Sequence, residues 1–144
     1  MNHHRIRLRG PWQLTFQGQL QPQSETPKPI TIQPPCNLSG FFSVPNSSIL
    51  LQRKLGRPTS LSSQESVFLV IQKPTFSFTL LWNGAELSQV SPCDQFEFPI
   101  KELLKERNLL ELKGVIHDPS QILFEEVFLE IRGNSVTQSP TSLP

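Results

Sequence analysis

The sequence predicts an all-β protein, an antiparallel β-sandwich with one short helical turn near residues 101–106. Three observations predict it. Phe76, Phe78, Leu80 and Trp82 alternate with Ser77, Thr79, Leu81 and Asn83, which is the period of a half-buried strand. Asn83-Gly84 follows, a dipeptide that tolerates the positive φ of a two-residue hairpin turn. A second alternation then sets Phe96, Phe98 and Ile100 against Gln95 and Glu97. The 14 prolines and the scarcity of helix-favouring runs agree, because they favour short strands joined by Pro-rich loops.

Element by element, residues 5–17 read as a strand pair. Ile6 and Leu8 alternate with arginines, Gly10-Pro11 breaks the run, and Trp12, Leu14 and Phe16 resume it. Residues 17–29 are polar and Pro-rich and form a loop. Ile30 and Ile32 mark a short strand ending at Pro34-Pro35, and residues 36–47 make an irregular connection anchored by Phe41, Phe42 and Val44. Residues 49–55 form a strand and 56–64 a turn-rich link. The unbroken apolar run at 67–71 fits a central strand packed on both faces. After the hairpin, residues 101–106 make a helical turn with Leu103 and Leu104 facing inward. Residues 109–116 and 122–131 are the last strands. From Gly133 onward Ser, Thr, Gln and Pro predict a disordered tail. Eight or nine strands with non-helical links bury their alternating faces most simply as two stacked sheets.

With 144 residues the chain suits one domain, spanning residues 1–132, and one core. Its formal charge is +1. Arg5, Arg7 and Arg9 share a strand face, but no basic run interleaves with aromatics, so neither nucleic acid nor membrane is expected as a partner. No apolar run reaches membrane-span length, and the basic N-terminus lacks the apolar stretch of a signal peptide, so a cytoplasmic location is expected. Cys36 and Cys93 either pair or stay as two buried thiols, the latter being favoured in a reducing compartment. The sequons at Asn37 and Asn46 matter only in a secreted eukaryotic setting.

Five stretches occur in a telling order. The first is Leu8-Arg9-Gly10-Pro11-Trp12-Gln13-Leu14, and the second Leu51-Gln52-Arg53-Lys54-Leu55. Ser66 to Val70 followed by Phe76 to Gly84 makes the third. Next come Phe96-Glu97-Phe98-Pro99-Ile100, Leu103-Leu104 and Asn108-Leu109-Leu110, and last Ile122 to Leu129. In this order they resemble the sugar-binding jelly-roll domain at the N-terminus of β-galactosidases and β-glucuronidases, over roughly residues 8–131. The resemblance implies a jelly roll of the galactose-binding type, related to glycoside hydrolases but without their catalytic barrel. Two departures stand out. The family's last strand usually opens Gly-Ile, an aromatic, then Arg-Asp or Arg-Pro; here Ile122 replaces the Gly, and Glu125 and Glu126 replace the polar pair. The family's Trp sits two residues before the turn Asn, a place held here by Leu81, with Trp82 shifted by one residue to the other sheet face.

No catalytic residue, metal or cofactor is expected. A glycosidase needs two carboxylates ~5–10 Å apart across the sugar, whereas Glu125 and Glu126, adjacent on a strand, should point to opposite faces. His117-Asp118 reads as a turn-stabilising pair, and the two Cys and three His lack ligand spacing. Carbohydrate binding is the leading expectation. It needs a flat apolar face and planar polar groups, for which Trp12, Arg53, Trp82, Asn83, Asp94 and Gln95 are the candidates. Most also have a plain structural use: the tryptophans in the core, Asn83 in its turn, Arg53 paired with a carboxylate across the sheet. Asp94 leads, because its loop should lie at a sandwich end, where ligands bind. The alternative is a protein-interaction or oligomerisation scaffold, with Phe41, Phe42, Phe124 and Phe128 forming an exposed patch for a protein partner or a second copy.

Overall fold

Strand alternation decides the architecture. The protein, seen in a computed structural model, is described over residues 3–16, 29–36, 47–118 and 120–133. Ten strands lie among these residues: β1 (His3–Arg7), β2 (Trp12–Phe16), β3 (Ile30–Ile32), β4 (Ser47–Gly56) and β5 (Ser66–Gln72) come first. Then follow β6 (Phe78–Trp82), β7 (Ala85–Val90), β8 (Gln95–Pro99), β9 (Arg107–Ile116) and β10 (Glu126–Arg132). They pair antiparallel into a four-stranded sheet, β1-β10-β5-β8, and a six-stranded sheet, β3-β2-β4-β9-β6-β7. The result is a β-sandwich whose core is filled by alternate residues of both sheets, such as Leu51, Leu80 and Leu112 on one side and Leu69, Ile71 and Leu129 on the other. The expected tail at 133–144, apart from Gly133, and the anchors Phe41, Phe42 and Val44 lie outside the described residues, as do Asn37 and Asn46.

Several expectations need correction. Residues 5–17 are not a strand pair: β1 joins β10 and β2 joins β3 and β4, so the Gly10-Pro11 connection crosses from one sheet to the other. The helical turn is a single 3₁₀ turn at Lys101–Leu103. Leu104 is buried but Leu103 is exposed, because consecutive side chains in so tight a turn diverge widely around its axis. The last strand begins only at Glu126; Leu123 and Phe124 are buried in the approach to it, where Leu123 bonds Cys36 and Thr75 through its backbone. The predicted phenylalanine patch is absent as far as it is described, since Phe124 and Phe128 are each only 1% exposed. Cys36 and Cys93 are both free thiols; Cys93 is exposed rather than buried, and burial pushes the Cys36 pKa up.

The run at 67–71 is packed on both faces for an identifiable reason. Val67, Leu69 and Ile71 enter the core, while Phe68 and Val70 lie on the outer face. There a layer of ion pairs covers aromatic rings. Arg132 stands over the Phe68 ring, 4.0 Å from its centroid, and Arg5 stands 4.4 Å from that of Phe128. Arg132 also reaches Glu97 at 3.0 Å and Glu130 at 2.7 Å, Arg5 reaches Glu130 at 3.2 Å, and Arg7 reaches Glu126 at 2.6 Å. Arg5 and Arg7 are therefore part of a neutral lattice, not a basic patch. Burial alone would raise the Glu130 carboxyl, but hydrogen bonds and charge from Arg132 and Arg5 outweigh it and hold the pKa below the ordinary glutamate value.

Two predictions follow from this packing. Gly114 faces Phe78 across the β9–β6 pair, and a Cβ there would meet the Ser77 carbonyl and sit 2.9 Å from Phe78 Cβ. Gly114→Ala should cost ~1–3 kcal/mol by overpacking, read as a lower urea midpoint at unchanged slope. Because the folded pKa of Glu130 is depressed, its stabilisation is present above its unfolded value of about 4.3 and fades as pH falls through the lower folded value. Glu130→Gln should flatten the acid limb of a stability–pH curve; a limb as steep as the parent's would contradict the pairing.

Candidate functional site

Both tryptophans belong to the core. Trp12, on β2, is fully buried, packs against Phe124 with ring centroids 5.5 Å apart, and donates its indole N–H to the Leu8 carbonyl at 2.8 Å. Trp82, on β6, is 2% exposed and donates to the Leu103 carbonyl at 3.3 Å. Neither offers a ring face to a ligand.

Asn83 is a structural clasp. With φ of 51° at Asn83 and 86° at Gly84, the pair makes the tight turn from β6 to β7 that the sequence predicts. Its side-chain oxygen accepts the Leu109 N–H at 2.7 Å, and its amide nitrogen donates to Asn108 Oδ1 at 3.1 Å. Asn108, buried at 4% exposure, also accepts from the Lys105 N–H and donates to the carbonyls of Lys105 and Leu55. This network joins the hairpin to the start of β9 and leaves the Asn83 amide committed.

Arg53 does not pair with a carboxylate among the described residues. Its Nε donates to the Arg9 carbonyl at 2.8 Å, and its Nη1 to the carbonyl of Lys54. Asp94 is exposed and is held through its backbone, whose carbonyl accepts the Lys73 N–H at 2.8 Å. Gln95 donates to Glu97 at 2.8 Å and accepts from Gln72 at 3.3 Å. The six candidates are thus scattered over the core, the hairpin turn, the loop at 91–94 and strands β4 and β8, and they are not brought together.

A different group does converge. A cleft of about 510 Å³ opens where four chain segments meet: Leu8 and Arg9 after β1, Pro34 and Pro35 after β3, Gln72 at the end of β5, and Phe124 to Val127 leading into β10. Its rim is polar, with Arg9, Gln72, Glu125 and Glu126, and the two proline rings supply an apolar wall. Glu126 is bound to Arg7, whereas Arg9 and Glu125 make no ion pair among the described residues. Glu125 precedes the strand that Glu126 opens, and both residues border this cleft. Sequence reading singled out the glutamate pair, Pro34-Pro35 and Arg9 separately. No local signal joins them to Gln72; only the long-range pairing of β1, β5 and β10 does.

Elsewhere, the Asp118 carboxylate accepts from the Ser120 hydroxyl at 2.7 Å and its N–H at 3.0 Å, and these bonds hold its pKa down. Among the described residues, no group of three His, Cys, Asp or Glu is placed to hold a metal, and no helix is long and apolar enough to cross a membrane.

The same architecture occurs in solved glycoside hydrolases. A Faecalibacterium prausnitzii β-glucuronidase superposes with a TM-score of 0.74 at 14% identity, over 91% of this chain and 32% of its own. A Bifidobacterium dentium β-glucuronidase complexed with coumarin-3-O-glucuronide gives 0.72 at 15% identity, over 91% and 30%. An FMN-binding β-glucuronidase from Faecalibacterium prausnitzii L2-6 gives 0.68 at 17%, over 92% and 23%. This chain has the fold of one domain of these enzymes. It spans about a third of their length or less. No protein-family model matches the sequence, and no curated protein matches it.

The clasp makes its own prediction. Asn108→Ala leaves the Lys105 N–H, the Lys105 and Leu55 carbonyls and the Asn83 amide short of a partner and should cost ~1–3 kcal/mol. Asn83→Ala should cost less, because its site lies at the turn. Thermal melts of the two variants give the order, and equal, negligible shifts would contradict the clasp.

Proposed function

We propose that the chain is a non-catalytic carbohydrate-binding module of glycoside-hydrolase type, with its sugar site in the cleft at the sandwich end. The observation that carries this reading is the convergence of Arg9, Gln72, Glu125 and Glu126 beside Pro34 and Pro35. Planar polar groups suit the directional hydroxyls of a sugar, and the proline rings suit its C–H face. The expected aromatic platform gives way to this proline wall, because both tryptophans are in the core. A carbohydrate-binding role fits the likeness to a β-glucuronidase domain. Catalysis is not part of the proposal: Glu126 is held in an ion pair with Arg7.

A specific observation favours a second reading, a docking scaffold. Leu50, Leu81 and Leu109 are half-buried on the outer face of the six-stranded sheet, and Val115 is 36% exposed there. Leu81 lies diagonal to Leu109, and Leu50 to Val115, but Glu111 and Lys113 lie between the two pairs.

A glycan array followed by NMR titration separates the two. The sugar reading expects a saturable ligand whose shifts centre on the Gln72, Glu125 and Glu126 amides, with Glu125→Ala weakening binding about tenfold. An empty array together with a dimer on gel filtration would overturn it in favour of docking. Turnover of an aryl-glycoside by the purified chain would overturn the non-catalytic part.

A further inference from the structure

The core fixes which side chains of β9 face away from it. Leu110 and Leu112 are fully buried, so Leu109, Glu111, Lys113 and Val115 stand on the outer face of the six-stranded sheet. β9 lies inside that sheet, between β4 and β6. The register sets Gln52 and Leu81 beside Glu111, and Leu50 and Thr79 beside Lys113. Along β9 the outward order is therefore apolar, acidic, basic, apolar. Glu111 accepts from Gln52 Nε2 at 2.9 Å, and neither Glu111 nor Lys113 makes an ion pair among the described residues.

That order is its own complement when reversed. Consider a two-fold axis that lies in the face and crosses β9 at right angles beside Leu112. It stacks two copies face to face with their β9 strands antiparallel. Glu111 then meets Lys113 of the second copy, Lys113 meets its Glu111, and Leu109 meets its Val115. On the flanking strands Gln52 meets Leu50, and Leu81 meets Thr79. An axis along β9 would instead set Glu111 on Glu111 and Lys113 on Lys113, and such like-charge contacts oppose association. The charge order thus selects one axis of the two. Stacked sheets lie about 10 Å apart with strand directions within about 30°, a gap that a facing lysine and glutamate span together.

We propose that the outer face of the six-stranded sheet docks a second copy of this chain, as a two-fold dimer with Glu111–Lys113 pairs at its centre and Leu109–Val115 contacts on either side. The interface is isologous, so each pairing occurs twice. The area agrees with a weak association. β9 has ten residues, and with strands ~4.8 Å apart the patch from β2 to β7 covers on the order of 500–600 Å² per copy, at the low end for a specific interface. The inference rests on the docking reading and gives that reading its occupant. It uses no residue that lines the sandwich-end cleft, which stays open to a sugar.

Sedimentation equilibrium of the purified chain over a wide range of concentration, at low salt, tests it. The parent should pass from monomer to dimer and no further. Glu111→Lys sets two lysines against each other across the axis, and Lys113→Glu sets two glutamates; each should weaken dimerisation at least tenfold. An equimolar mixture of the two single variants restores opposite charges at both contacts and should recover a heterodimer of near-parental affinity. That recovery also shows that both variants are folded. A dimer that neither substitution weakens, or a mixture that stays monomeric, would overturn the proposed face and axis. A parent that is monomeric throughout would overturn the second copy as occupant and return the docking reading to a foreign partner.

Discussion

The enclosure of Trp12 between the two sheets is the constraint on which the rest depends. Its ring is wholly buried, rests against Phe124 from the approach to β10, and gives its one polar hydrogen to the Leu8 carbonyl in the crossing between sheets. One side chain thereby ties the first crossing to the approach to the last strand, far along the sequence. Burying so large a ring excludes water from the middle of the sandwich and contributes much of the apolar term that stabilises it. A buried indole N–H without an acceptor would cancel part of that gain, so the position of Leu8 matters as much as the ring. The same commitment decides function negatively: a ring that closes the core is unavailable to stack on a sugar.

Outside the core the two sheets solve their exposure differently. The small sheet covers Phe68 and Phe128 with arginines that are themselves neutralised by Glu97, Glu126 and Glu130. An aromatic layer is thus kept from water by a charged but net-balanced one. Exposed ion pairs of this kind contribute little individually, but Glu130, at 8% side-chain exposure, depends on its partners in a way a surface glutamate does not. The broad sheet instead mixes Thr and Gln with half-buried leucines. Among the described residues, Arg9 and Glu125 make no ion pair and border the sandwich-end cleft.

Much of the fold was legible in the chain because strand parity is a local signal. Phe78, Leu80 and Trp82 are buried in the order their alternation requires, and Asn83-Gly84 turns as its dihedral tolerance demands. The apolar run at 67–71 correctly marked a strand covered on both faces. Errors arose where local pattern and long-range pairing diverge. Alternation cannot say that β1 and β2 lie in different sheets, nor that the strand containing Glu126 starts one residue after Glu125. The site was less legible than the fold. Trp12, Trp82 and Asn83 drew notice for chemistry that packing had already used, while Gln72 carried no signal until β5 and β10 brought it beside Glu125.

The chain holds two tryptophans and no tyrosine, so intrinsic fluorescence reads the enclosure of both indoles directly. Native protein should emit at the short wavelengths of a dry interior, resist quenching by iodide and acrylamide, and keep that spectrum at saturating sugar. Emission like that of the urea-unfolded chain, or free quenching of either indole, would contradict the two-layered core and reopen the tryptophans as ligand platforms.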